Sequence, residues 1–178
     1  MMRVMAVIFY AFLSITILSA CRRPQPKTAP KTDWSNAHSV DFNQELSVRE
    51  ELQIATFLAH YRELKMQKSA SGLRYMIYQK SPQTLPLAVE GQRAAIQVII
   101  KTLDQRICYQ TPKDEVEWLS IAHSEKETGI HEALLLMRKG EAAKLILPSY
   151  LGHGLLGDRQ SIPPQSLLYI DLKLIELQ

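Results

Sequence analysis

Two rhythms of apolar and polar residues organise the chain. From Leu167 to Leu177, Leu168, Ile170, Leu172 and Leu174 fall on alternate positions, the period of a strand with one buried face. Arg93 to Leu103 repeats it, with Ala94, Ile96, Val98 and Ile100 opposite Ala95, Gln97, Ile99 and Lys101. Leu73, Tyr75 and Ile77 predict another strand, as does Ala142 to Leu147, and Ile107 to Tyr109 and Val116 to Ile121 predict two short ones. The second rhythm is helical. Ile130, Ala133, Leu134 and Met137 sit at i, i+3, i+4 and i+7 behind a capping Thr128, and Gly140 permits the positive φ that ends a helix. Upstream, Ser47-Val48-Arg49-Glu50 has the form of a capping box. Leu52, Ala55, Phe57, Leu58, Tyr61 and Leu64 come next, near a 3.6-residue period, predicting a helix from Val48 to Lys68 that Gly72 can stop. Its stripe needs a partner, either the following domain or a second copy of the same helix in a homodimer. Strands around one short helix predict an α+β domain: a curved, mostly antiparallel sheet wrapped around that helix and preceded by an N-terminal amphipathic helix.

The first residues obey neither rhythm. Arg3 precedes an uncharged apolar run from Val4 to Leu18, short for a bilayer span but suited to the core of a secretory signal. Leu18-Ser19-Ala20-Cys21 resembles a bacterial lipobox, which implies removal of residues 1–20 and lipidation of Cys21. Acyl chains contribute about 0.8 kcal/mol per buried methylene, so two or three on Cys21 hold a chain to a bilayer without a spanning helix. The expected location is the cell envelope, at the outer membrane facing the periplasm. Residues 21–46 hold Pro24, Pro26 and Pro30 among polar residues and read as a disordered tether. Residues 47–70 are then the N-terminal helix and 71–178 the folded domain.

With 21 Lys and Arg against 18 Asp and Glu, charge is near balance, and no basic stripe with interleaved aromatics points to nucleic acid. There are 2 cysteines, so Cys108 has no intrachain partner once Cys21 is lipidated, and stability must come from the core. A hydrophobic fraction of 46% is enough for one.

The motifs of the second half carry a family resemblance. Gly129-Ile130-His131-Glu132-Ala133-Leu134-Leu135-Leu136-Met137-Arg138-Lys139-Gly140-Glu141, Pro148-Ser149-Tyr150-Leu151-Gly152-His153-Gly154 and Ile162-Pro163-Pro164 occur in that order. Together they resemble the FK506-binding (FKBP-type) peptidyl-prolyl isomerase domain over Ser71 to Gln178, and a helix leading into Ser71-Gly72-Leu73-Arg74-Tyr75 resembles how many bacterial members begin. Cys21-Arg22-Arg23-Pro24 before a tether, a helix and this domain is similar to the gliding-motility-associated FKBP-type lipoproteins of the Bacteroidetes.

The resemblance implies an isomerase that needs no nucleophile, metal or cofactor. The planar amide sets a barrier of roughly 18–20 kcal/mol. An apolar, water-poor pocket favours the twisted amide while nearby donors hold the peptide. The family's wall positions fall here on Val98, on Tyr109 or Gln110, on Lys126-Glu127, and on Ile130, His153, Ile162 and Ile170, with only Ile162 unchanged from the family pattern. The expected set is Tyr109, His153 and Ile162 as catalytic residues and Trp118, Ile130 and Ile170 as pocket walls, with Leu119 an alternative to Trp118. His153 could donate to a carbonyl as the family tyrosine does.

Two readings stay open. Either these residues rebuild the pocket around proline-containing segments of exported proteins, including gliding-motility components, or the domain is a weak or inactive chaperone or assembly scaffold. Other enzyme classes lack support: His131-Glu132 has no second histidine one turn on, and there is no Gly-x-Ser-x-Gly, phosphate loop or paired metal-binding cysteines.

Overall fold

A computed structural model describes residues 36–178 of the chain. The signal, Cys21 and the first part of the tether lie outside the described residues. The chain divides into two units, 1–38 and 39–178. Of the first, only the opening of a helix is described, and every described strand belongs to the second.

The elements in order are α1 (Asn36–His60), β1 (Gln67–Lys68), β2 (Arg74–Gln79), β3 (Arg93–Thr102), β4 (Ile107–Gln110), β5 (Glu117–Ser120), α2 (Thr128–Leu135), β6 (Ala142–Leu147), a 3-10 turn (Ser149–Leu151) and β7 (Leu168–Leu177). The strands form one antiparallel sheet in the order β1-β2-β6-β7-β3-β4, with β5 also paired to β3. One edge of β3 is divided: Ile99 to Lys101 pair with β4, and Arg93 to Ile96 pair with β5. Thr111 bridges the gap, its amide donating to Val98 O at 2.9 Å and its Oγ1 accepting from Val98 N at 3.0 Å. The expected α+β architecture, a curled antiparallel sheet on a short helix, is the one observed.

Residue parity explains the two faces. Inward, Ala94, Ile96, Val98 and Ile100 of β3 join Leu145 and Leu147 of β6 and Leu168, Ile170, Leu172 and Leu174 of β7, all closed over by Ile130, Ala133, Leu134 and Met137. Helix α2 lies close to the sheet because Gly129 has no side chain: a Cβ there would stand 2.5 Å from Leu147 Cγ. Its N-cap residue is Glu127 rather than Thr128, without a side-chain cap hydrogen bond. Gly140 exits at φ +85° as its position predicts, and its amide donates to Leu174 O at 2.8 Å.

Outward, Ile146 and Leu167 make a smaller cluster with Ile54, Phe57 and Leu64, and Met76, Leu103 and Tyr169 pack beside them. Helix α1 thus covers one part of the outer face. Its bounds correct the sequence reading: it begins within the segment read as tether and ends at His60, not Lys68. Ser47 lies inside the helix, so Ser47-x-x-Glu50 caps nothing. Gly72, at φ +94°, belongs to the turn between β1 and β2 instead of a helix end. The buried stripe is also different, formed by Leu46, Glu50, Ile54 and Phe57, while Leu52 is 68% exposed and Ala55 and Tyr61 face solvent.

Glu50 is buried in that stripe. One carboxylate oxygen accepts the Ser149 amide at 3.2 Å, joining α1 to the 3-10 turn that leads to His153. Beside it, Glu51 pairs with Arg74 of β2 and with Lys68 of β1 at 3.3 Å. Among the described residues no helix is long and apolar enough to cross a membrane.

Candidate functional site

The expected site residues sort into a floor, a rim and one outlier. Ile130 of α2, Ile162 of the loop before β7 and Ile170 of β7 belong to the inner core cluster with Val98, Leu147 and Leu151. Ile130 and Ile170 expose none of their surface, and Ile162 is nearly closed. They form a floor rather than open walls, and a ligand reaches Ile130 or Ile170 only when their cover parts.

Ile162 is set by its loop. The Asp158 carboxylate accepts three backbone amides, from Gln160 at 2.8 Å, Ser161 at 2.9 Å and Ile162 at 2.7 Å. Desolvation pushes the Asp158 carboxyl up, but those amides and the nearby His153 together outweigh it and hold it below the usual carboxylate range. Gly157 precedes it at φ +66°, where a Cβ would lie 2.1 Å from Ile162 O.

Tyr109 and His153 stand at the rim. Tyr109, on β4, is 40% exposed, and its hydroxyl donates to Glu117 Oε1 at 2.7 Å. Thr111 Oγ1 donates to the same oxygen at 2.6 Å, and Lys126 Nζ lies 2.6 Å from Glu117 Oε2 and 4.6 Å from the centre of the Tyr109 ring. The bond to Glu117, then burial, pushes the Tyr109 phenol up to about 12. Burial raises the Glu117 carboxyl, but Lys126, Thr111 and Tyr109 outweigh it and keep it below its usual range. The Tyr109 hydroxyl is therefore already engaged with the protein.

His153 Nε2 lies 3.0 Å from Glu127 Oε1. Where the carboxylate is ionised it only accepts, Nε2 then carries the proton, and Nδ1 of a neutral ring is an acceptor. In that state His153 can donate to a substrate carbonyl from Nδ1 only as the imidazolium. Glu127 falls on a family wall position in the sequence but is absent from the expected set of site residues. Its side chain is 6% exposed, and its second oxygen, Oε2, is buried without a hydrogen-bond partner among the described residues. The signal was present: an acid stands directly before the apolar stripe of α2, where the family pattern has an aliphatic residue.

Trp118 is not brought to this site. It pairs with Ala95 on β5 and β3, while Leu119 pairs with Ala94 and turns into the core. Trp118 is 43% exposed on the other face, under Arg93 at 5.1 Å. The alternative wall, Leu119, has the inward parity. His131 is structural, with Nδ1 accepting from Ala122 N at 3.0 Å and Nε2 3.1 Å from Ser124 Oγ. Burial raises the half-buried Cys108 thiol above its ordinary range, which makes it a poor nucleophile. Among the described residues there is no cluster of His, Cys, Asp or Glu able to hold a metal.

A groove of about 840 Å³ lies elsewhere, between α1 and the β3–β4 turn, lined by Leu52, Phe57, Leu103, Arg106, Pro163 and Leu167. It adjoins the loop of Ile162 but contains none of the six expected residues. The chemistry is concentrated at the rim instead.

Comparison with known proteins agrees with the fold. Among solved structures, the chain is similar to a peptidyl-prolyl cis-trans isomerase from Pseudomonas syringae pv. tomato str. DC3000, at 20% identity and a TM-score of 0.61, covering 76% of this chain and 95% of that one. It is also similar to AtFKBP13, at 22% identity and a TM-score of 0.59, covering 64% and 99% respectively. At such identities these likenesses establish the fold. No curated protein matches the sequence. The model of the FKBP-type peptidyl-prolyl cis-trans isomerase family matches residues 86–175, half of the chain, and the protein therefore belongs to that family.

Proposed function

We propose that this chain is a membrane-anchored prolyl isomerase that assists folding or assembly of exported envelope proteins. Family membership and a continuous apolar floor beneath a polar rim support the reading. The floor would take a proline ring, and its exclusion of water would favour the twisted, less polar amide. Ile162 would contact the ring, while Tyr109 and His153 flank the entering chain. No cofactor is called for. Leu18-Ser19-Ala20-Cys21 supports lipidation at Cys21 and a place in the envelope, at the outer membrane facing the periplasm. The similarity of Cys21-Arg22-Arg23-Pro24 to gliding-motility lipoproteins suggests such components as clients.

The full chain is expected to accelerate cis/trans exchange of proline peptides in two-dimensional NMR exchange spectra. Rates equal to the uncatalysed reaction across several residues preceding proline would refute the enzyme reading. Labelled fatty acid should enter the wild-type protein in a bacterial host and not Cys21→Ser.

A second reading, a catalytically weak or inactive assembly scaffold, is favoured by the closed surfaces of Ile130 and Ile170 and by the engaged Tyr109 hydroxyl. It predicts a specific partner whose capture survives replacement of both Tyr109 and His153 by alanine, with no acceleration of exchange.

A further inference from the structure

The carboxylates around the rim differ in how their charge is met. Glu117 has Lys126 at 2.6 Å and two hydroxyl donors. Asp158 has three backbone amides. Glu127 has only the ring of His153, which carries charge only when protonated, and its second oxygen is buried with no donor among the described residues. Isolated buried carboxylate oxygens are costly, and a donor that supplies the missing hydrogen bond recovers that cost. The adjacent Lys126 is engaged with Glu117.

Glu127 also has the right position to act on a ligand. It is the N-cap residue of α2, three residues before Ile130, it contacts His153, and its charge is felt by Tyr109. Glu127 Oε2 is buried, so a peptide that docks at Ile162 would reach it only where its cover parts, as for Ile130.

We infer that Glu127 is a specificity-determining residue that selects proline segments carrying a lysine or arginine next to the proline, its free carboxylate oxygen accepting the cationic side chain. This rests on the proposed prolyl-peptide site and names its substrate class. A hydrogen bond to a charged group is worth about 1.5–3 kcal/mol, so a preference of roughly tenfold or more is expected for a cationic over an anionic neighbour.

The test uses the full chain and short peptides with Lys, Leu or Glu on either side of one proline. Both kcat/KM for cis/trans exchange and affinity by fluorescence anisotropy are measured. The expected result is a Lys-to-Glu ratio of about ten or more at one position, falling toward one in Glu127→Gln and unchanged in Glu90→Gln, which removes an equal charge before β3. Because each ratio is taken within one variant, a uniform loss of folded protein cancels. A wild-type ratio near one at both positions, or the same ratio in Glu127→Gln, overturns the inference while leaving isomerase activity standing. Binding that favours Lys without accelerated exchange keeps the inference and refutes the isomerase. Neither binding nor exchange for any peptide refutes both.

Discussion

The two faces of the sheet are covered in different ways. On the inner face α2 closes a single cluster contributed by β3, β6, β7 and the Ile162 loop, and its residues are almost entirely apolar. On the outer face α1 covers a small patch around Ile146 and Leu167, and its buried stripe includes the carboxylate of Glu50. Elsewhere that face carries polar contacts, such as Lys144 with Asp171 at 2.8 Å and Tyr78 donating to Asp171 at 2.8 Å. The inner layer is thus held by many mutually covering side chains, whereas the outer layer is fastened at a few points. Burial supplies most of the stability within a core, and it should be unequal between these two layers.

Paired truncations test that inequality most strongly. Ile130→Ala should lower stability by about 3–5 kcal/mol, since the surrounding cluster is closed and relaxes poorly, while Ile54→Ala should cost about 2 kcal/mol because its patch borders solvent. Urea midpoints at constant m-value would report both. Equal losses would mean that α1 is part of the main core. Hydrogen exchange should separate them further, with Ile54→Ala exposing α1 amides while those of α2 stay protected.

A smaller effect is expected where the outer layer meets the site. Glu50→Ala strips the Ser149 amide of its acceptor and should cost about 1–3 kcal/mol. It should also move the His153 ring resonances in NMR spectra, because the 3-10 turn runs directly into that loop. Unmoved resonances would make Glu50 a fastening for α1 alone.

The smallest change concerns the rim. Tyr109→Phe removes one hydrogen bond from an exposed group and should cost under about 1 kcal/mol at neutral pH. Its pH dependence has a definite sign. The folded phenol, at about 12, binds its proton more tightly than an ordinary tyrosine near 10, so the associated stability is complete below about pH 10 and is lost as pH rises toward 12. Glu117 works at the other end: with its carboxyl held low, its contribution is lost as pH falls through that depressed value. In Tyr109→Phe the alkaline fall should be shallower than in wild type, and an unchanged slope would refute the bond to Glu117.

These contrasts also explain what could be read in the sequence. Strands β3 and β7 and helix α2 were legible because each presents a continuous apolar face to one partner, so every second or every third and fourth residue is buried. For α1 the cover is narrow: a stripe of Leu46, Glu50, Ile54 and Phe57 contains a charge, and the exposed Leu52 and Ala55 imitate an apolar face turned elsewhere on the helix. Ser47 and Glu50 have cap spacing, yet tertiary contact with Ser149 claims Glu50. Trp118 differs from the expected wall by one residue of strand parity, which sends a side chain to the opposite face. Glu127 fell on a family wall position, but its pairing with His153, distant in sequence and near only in the fold, was not legible there.

The Gly157–Ile162 loop has a consequence for recognition. Three of its amides converge on one carboxylate, and a left-handed glycine fixes its entry, so its conformation is specified by its own residues. Ordering a free loop costs about 1–2 kcal/mol per residue in backbone entropy. A chain docking against Ile162 would meet a surface whose order was fixed during folding, and selectivity at that edge would come from shape rather than from induced adjustment.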